Sequence, residues 1–330
     1  MSNSGSESKK YSRRDVLKTA GVLGAAALAG GLLPIKAEAA PENVLSGVIE
    51  MHVHSDPDIR PRSINDIELA RKAKEMGMRG VVIKNHDFLT NDRAYLVRQI
   101  VPGIEIFGGI VLNYPVGGVN PVAVETMLKF SGGYGKIVWL PTYQSSFEWE
   151  HLKKKEQGVR VVDKAGKVLP EVKKVMELVA KADIALGTGH ISPAESITIS
   201  RMAKEMGLKK VIITHAMQDP FLLTLDDMKR CVEAGAIVEH CYLSYLMGPL
   251  CPVPAYRSSK HIPMDEFVKA ITALGAENCI VATDLGQSLN PVPSVGMADF
   301  ISQLMRKGIT KAQIDTMTKA NPAKMLGLEV

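Results

Sequence analysis

The stretch GVIEMHVHSDPD, residues 47–58, sets His52 and His54 two apart at the end of an apolar run. Side chains two apart on a strand share a face, so these imidazoles point the same way. Of the eight histidines, six fall at or just past the end of an apolar, strand-like run: His52, His54, His86, His190, His215 and His240. A carboxylate, Asp284, ends another such run, IVATD. Neutral imidazole and carboxylate are ligands for zinc, manganese or iron. Three protein ligands leave a position for water, whose pKa then falls towards about 7. A carboxylate beside that water can take its proton and hand it to a leaving group, a role that suits Asp284. The pattern predicts a divalent metal, zinc before manganese or iron, and one or two ions.

The elements that must hold these residues are written as a repeat. Residues 71–83, RKAKEMGMRGVVI, and 201–213, RMAKEMGLKKVII, agree at eight of thirteen positions. Each block ends an amphipathic helix at Gly and enters a strand of the buried, parallel kind. Their offset of 130 residues is four strand–helix units at about 30 residues each. They read as strands 2 and 6 of eight. The other strands are expected at 47–54, 104–112, 136–140, 184–188, 236–240 and 279–284, with helices at 171–182, 193–206, 224–234 and 264–274. The alternation predicts an α/β fold, a single-domain (β/α)8 barrel over 41–330, whose C-terminal rim carries the active site. A small hairpin is expected over 158–171, and a closing helix begun by Asn321 as cap with Pro322 behind it.

Residues 1–40 stand apart. A basic start and a short apolar run are followed by AEAA, the form of an export signal rather than of a membrane span. Ser12-Arg13-Arg14-Asp15-Val16-Leu17-Lys18 resembles the twin-arginine motif, departing from it at Val16. The resemblance implies export through the twin-arginine machinery, already folded, to a place of work outside the cytoplasmic membrane. The signal carries six Lys/Arg and three Asp/Glu, so a chain of net charge +5 leaves a mature part of +2. Low aromatic content and the lack of a basic stripe argue against a nucleic-acid partner. Cys231 and Cys279 read as core residues, and none of the four cysteines forms a C-x-x-C pair.

The histidine pattern resembles the amidohydrolase superfamily. His52-Val53-His54 matches at strand 1, His190 and His215 after strands 5 and 6, Asp284 after strand 8, and NPAKMLGL at the closing helix. HVHSDPD, KNHDF, VWLPT, GTGHISPAE, VIITHA and TDLGQ are similar to an uncharacterised bacterial and archaeal group within it. The resemblance implies that His52, His54, His190, His215 and Asp284 ligate metal. It further implies that Asp284 is the general base and that His215 ligates or polarises the substrate. Binuclear members carry a carbamylated Lys or a Glu at the end of strand 4, where this chain has VWLPT. The site is then mononuclear, or Lys84, His86 or Glu239 substitutes; Lys84 is open to carbamylation or, as an ammonium, to an anionic substrate.

Aligned on the repeat, Asn85 rather than His86 matches His215. If His215 faces inward, Lys84 and His86 face outward unless a bulge turns them. His240 stays a further candidate by its place on strand 7. Arg60, Arg62 and Arg257 are candidates for holding a substrate anion by the guanidinium fork. Glu195 reads as a helix-start residue, and the long 241–263 connection as a lid or specificity wall. Three functions fit: a metal-dependent hydrolase of a small amide, lactone or ester, a metal-dependent decarboxylase, or a binding protein that captures metal or ligand. A sequestering site would saturate its metal with protein ligands, whereas a catalytic one keeps a position open.

Overall fold

The computed structural model describes residues 43–329; the signal segment lies outside the described residues. Eight short strands follow one another in chain order: β1 Ile49–Val53, β2 Gly80–Ile83, β3 Glu105–Val111, β4 Gly135–Trp139, β5 Ala185–Gly187, β6 Val211–Ile213, β7 Ile237–Cys241 and β8 Cys279–Ala282. Each pairs in parallel with the next. The ring closes where Val53 bridges Leu285, with His54 N donating to Leu285 O at 2.8 Å and Asp284 N to His52 O at 2.9 Å. This is a (β/α)8 barrel, and the strands read as continuous apolar runs because both of their faces are buried.

Helices return the chain between strands: α1 Asp66–Glu75, α2 Asn91–Ile100, α3 Pro121–Lys129, α4 Ser146–His151, α5 Pro170–Ala182, α6 Pro193–Glu205, α7 Leu225–Glu233, α8 Leu243–Leu246, α9 Met264–Leu274 and α10 Pro293–Arg306. Their starts carry local signals. Asn65 caps α1, and α6 and α7 open with capping boxes, Ser192–Glu195 and Thr224–Asp227. Glu195 is thus tied to its helix start. The two repeat blocks are α1–β2 and α6–β6, each turning at a glycine with positive φ, Gly77 at 78° and Gly207 at 71°.

Two apolar layers result. One lies between strands and helices. The other fills the barrel with Met51, Val82, Phe107, Ile137, Trp139, Ile212, Ile237 and Ile280, together with Met325 and Leu326 of the last helix. Each such side chain contributes about 1.5–3 kcal/mol by leaving water. Two short helices, α11 Lys311–Asp315 and α12 Asn321–Leu326, complete the chain. Asn321 is not the cap expected of it. A π-helical turn, Thr316–Ala320, runs straight into α12, and the Asn321 amide donates instead to Ala276 O and Cys279 O, at 2.9 and 2.7 Å. The expected hairpin is present as an antiparallel bridge, Val162 to Val168, and α4 precedes it. No helix among the described residues is long and apolar enough to cross a membrane.

Candidate metal centre

Strand ends aim the chemistry inward, by two routes. Val82 faces the barrel interior, so alternation turns Lys84 and His86 inward as well. Asn85 points away, its amide donating to Asp58 Oδ2 at 3.1 Å. His215 reaches the same space by leaving the alternation, with a φ of 31°, whereas Asp284 keeps the parity of the inward Ile280 and Ala282. The repeat therefore misleads at one residue: His215 is the exception, and Lys84 and His86 keep the regular pattern. On β1 the register shifts between Glu50 and Val53. There Glu50 Oε1 accepts from His52 N and Thr283 N, both at 3.1 Å, and ties β1 to β8. Burial lifts the Glu50 carboxyl to about 8.

Five imidazoles form a closed circuit. Ring centroids are 5.5 Å apart for His52–His54, 4.6 Å for His54–His86, 5.9 Å for His86–His190, 4.7 Å for His190–His215 and 5.8 Å for His215–His52. All five are buried. Burial, reinforced by neighbouring positive charge, holds His86, His190 and His215 well below the usual imidazole range. They are neutral and can ligate. Neither ring nitrogen of His215 has a hydrogen-bond partner.

The corner beside Asp284 has an arrangement that protons alone do not satisfy. His54 Nδ1 lies 3.0 Å from the carbonyl oxygen of Lys84, so Nδ1 carries the proton. Burial first, then the Arg62 charge, push His54 down to about 3, so the ring is neutral and Nε2 is bare. That bare nitrogen sits 3.1 Å from Asp284 Oδ1. The charge of His52 holds Asp284 ionised, outweighing burial. Two lone pairs therefore face each other across a contact that a cation would satisfy. His52 Nε2 is 3.1 Å from the same oxygen, and its Nδ1 is 3.0 Å from Glu239 Oε2. Burial and Lys84 lower the His52 pKa, but Asp284 and Glu239 outweigh them and raise it to about 9. The site thus demands positive charge at His52 Nε2. Ligand atoms of His52, His54 and Asp284 all lie within 4.8 Å of one another, a set that fits a divalent metal.

Other groups surround this corner. Lys84 Nζ lies 3.0 Å from His52 Nε2, and burial lowers its pKa. Glu239 also accepts from the backbone His215 N at 3.0 Å, so one carboxylate orients the His52 ring and ties down the backbone at His215. Glu148, on α4, lies 2.5 Å from His190 Nδ1, and burial lifts its carboxyl to about 7. Thr142 Oγ1 lies 2.8 Å from His86 Nδ1. Cys241 Sγ is 3.8 Å from His52 Nδ1, and all four cysteines are free and buried. Trp139, the inward residue of β4, fills the barrel beneath His52, with ring centroids 6.4 Å apart. Gly109 and Gly187 make room for it: a Cβ at Gly187 would lie 2.3 Å from Trp139 Cδ1.

Not every candidate arrives. His240 faces the helix layer, its ring 6.0 Å from that of Phe267, because Glu239 and Cys241 take the inward positions of β7. Arg257 is engaged by Cys251 O at 3.0 Å. Arg60, about a third exposed, pairs with Asp87 at 2.6 Å and lies over the Tyr143 ring at 5.0 Å. Glu148, Tyr143, Cys241 and Trp139 were not foreseen as site residues. Trp139 lies within the matched stretch VWLPT, Tyr143 directly after it, and Cys241 beside the candidates Glu239 and His240, while Glu148 carried no such signal.

A cavity of about 380 Å³ opens over His190, lined by Tyr143, Glu148, Gln218, Phe221 and Tyr256 among others. Tyr256 belongs to the 241–263 connection, and its hydroxyl is 3.3 Å from that of Tyr143. That connection walls the cavity. A second groove of about 290 Å³, against α7 and α9, holds no imidazole.

Residues 47–239 match a family model described as a family of unknown function, DUF6282. Residues 10–30 match the twin-arginine translocation signal, so the chain is exported across the cytoplasmic membrane. No curated protein matches the sequence. Among solved structures, a mutant organophosphorus hydrolase superposes with a TM-score of 0.56 at 14% identity, covering 86% of this chain and 94% of that one. An amidohydrolase from Pseudomonas aeruginosa gives 0.56 at 10% identity, over 86% and 96%. An amidohydrolase from Burkholderia multivorans with bound Zn gives 0.53 at 11% identity, over 86% and 100%. These neighbours are hydrolases of the amidohydrolase superfamily, and at such identities the likeness is one of fold.

Proposed function

The chain belongs to DUF6282, a family of unknown function, and from that footing we propose that it is an exported metal-dependent hydrolase of a small-molecule amide, lactone or ester. The observation that carries the reading is the bare His54 Nε2 set against the ionised Asp284 Oδ1. His52, His54 and Asp284 would hold the cation, with His190 and His215 completing the donor set. Imidazole and carboxylate donors suit zinc first, then manganese or iron. A divalent cation there supplies Lewis acidity, which polarises a carbonyl and lowers the pKa of water.

The chain's own groups supply the rest. Asp284 accepts a proton at a carboxylate oxygen and returns it to the leaving group. Glu239 fixes the His52 ring through Nδ1, and Glu148 does the same for His190. Lys84, buried against His52, lends positive charge where negative charge develops on the substrate. Tyr143, Tyr256 and Phe221 exclude water from the cavity above.

The test is elemental analysis of the exported protein, followed by a panel of amides, lactones and esters. About one equivalent of zinc, manganese or iron, with turnover that a chelator abolishes, is expected. Metal-free protein that hydrolyses the panel, or metal-loaded protein inert on all of it, refutes the reading.

A further inference from the structure

The strand-to-helix connections all leave the barrel at the face that carries the imidazole circuit. Six of the eight hold a large apolar side chain in the open: Ile59, Phe88, Tyr114, Leu152, Leu250 and Leu289. Leu250 is 98% exposed, in a turn where Cys251 N donates to Gly248 O at 2.8 Å. Ile59, Phe88, Leu152 and Leu289 are each more than half exposed. The connections at the opposite face, from helix back to strand, expose one such residue among the described ones, Phe130. Single exposed apolar residues are ordinary, but a six-to-one bias towards the face of the site is not.

Charge accompanies the two longest of these connections. Leu152 runs into Lys153, Lys154 and Lys155, all exposed. The 242–263 connection around Leu250 carries Arg257 and Lys260, both exposed, and no Asp or Glu. Of the acids beside the lysine run, Glu150 lies 3.7 Å from Arg160, which leaves Glu156. Lys153, Lys155 and Lys260 have no ion pair among the described residues. In the first two connections Asp58 and Asp87 are taken by Arg62 and Arg60, at 2.7 and 2.6 Å. The Leu152 and Leu250 loops meet at the cavity over His190, which Leu152, Ala255, Ser258 and Ser259 help to line. Water solvates such cations but not the apolar tips between them. An anionic bilayer satisfies both, its headgroups taking the cations and its acyl boundary the tips. A second copy does not, because a two-fold pairing of this face would set the positive fringe against itself. The export signal brings the chain to the outer side of the cytoplasmic membrane, beside such a surface. We propose that the mouth of the barrel docks on an anionic lipid surface through the Leu152 and Leu250 loops. The docking goes beyond the hydrolase reading and holds whether or not any panel compound is cleaved.

The test is flotation of the exported protein, confirmed by mass to have lost its signal, with vesicles of phosphatidylcholine containing about a third phosphatidylglycerol. Binding should be about tenfold or more tighter than to phosphatidylcholine alone, and salt at about 0.5 M should remove that advantage. Leu250→Asp should weaken binding about tenfold, and Lys155→Gln combined with Lys260→Gln about as much, each with Tm unchanged because the side chains are exposed. Leu96→Asp, on the exposed side of α2, should leave binding as it was. Absence of binding, equal binding to the two kinds of vesicle, or binding that survives either the Leu250 or the lysine change overturns the proposal, as does an equal loss in Leu96→Asp. So does a dimer in sedimentation velocity without lipid that Leu250→Asp dissolves, since a second copy would then cover the tips.

Discussion

His240→Leu separates an imidazole that belongs to the site from one that merely resembles it in sequence. The His240 ring is fully buried, neither nitrogen is partnered, and its neighbour is Phe267. Burial, only partly offset by Glu239, pushes its pKa down to about 4. An unfolded imidazole titrates near 6.5. Above that pH both states are neutral. Below it the unfolded chain takes up a proton that the folded chain refuses, so stability is lost as pH falls from about 6.5 towards 4, by about 2 kcal/mol at pH 5. Leucine removes this loss. It also removes two unpaired polar nitrogens, each costing about 1–3 kcal/mol, against an imperfect fit of up to about 1.5 kcal/mol. The variant should gain about 1–2 kcal/mol at pH 7 and about 3–4 kcal/mol at pH 5, where each kcal/mol moves Tm by about 2–4 °C.

Zinc supplies the contrast. His215 is equally buried and unpartnered, yet lies in the circuit. Wild type and His240→Leu should share a zinc-induced stabilisation, about 4 kcal/mol at a thousandfold excess over Kd. His215→Leu should lose most of it. Scanning calorimetry at pH 7 and pH 5, with and without zinc, reads all of these. A His240 variant that loses the zinc shift or keeps the acid sensitivity refutes the assignment, as does a His215 variant with the full shift.

Asp284→Asn takes a charged ligand from the cation, so it should weaken zinc at least as much as the Glu148 change below and, in zinc-saturated protein, lose about 10²–10⁴-fold in turnover of whichever panel compound is cleaved; full activity removes Asp284 as proton acceptor. Glu148→Gln keeps an oxygen near His190 Nδ1 but no charge, and should weaken zinc about 10–100-fold in chelator competition; an unchanged affinity would show that His190 needs no carboxylate behind it. Gly187→Ala presses a Cβ to within 2.3 Å of Trp139 Cδ1 and should cost about 1–3 kcal/mol, read as a lower Tm; an unaltered Tm would mean that the ring is free to move.

The barrel was legible because its strands are buried on both faces and its helices begin with capping residues, both of which are local facts. The repeat located β2 and β6 because Gly77 and Gly207 end their helices in the same way. What local pattern could not supply was direction at the strand ends. Period-two alternation predicts an outward Lys84 and His86 only if His215 obeys it, and His215 does not, since its φ is 31°. His240 failed for the complementary reason: a histidine one residue from an inward position is an outward histidine. Tyr143 and Glu148, the latter on the short α4, reach the centre from the connection after β4, far along the chain from His52 and His54, and no strand or barrel periodicity reports on that connection.

The tryptophan at β4 gives those placements a common cause. Its ring occupies the inward β4 position, seated by two glycines, and excludes any anionic ligand from that strand. Negative charge must then come from elsewhere, and it does: Asp284 contacts His52 and His54, Glu239 the far side of His52, and Glu148 the back of His190. With these acids around the circuit rather than at its centre, Lys84 can sit buried over the indole at 5.3 Å and still lie near two carboxylates. The centre of the barrel thus sets one lysine, Lys84, between the indole and His52 with the carboxylates around it.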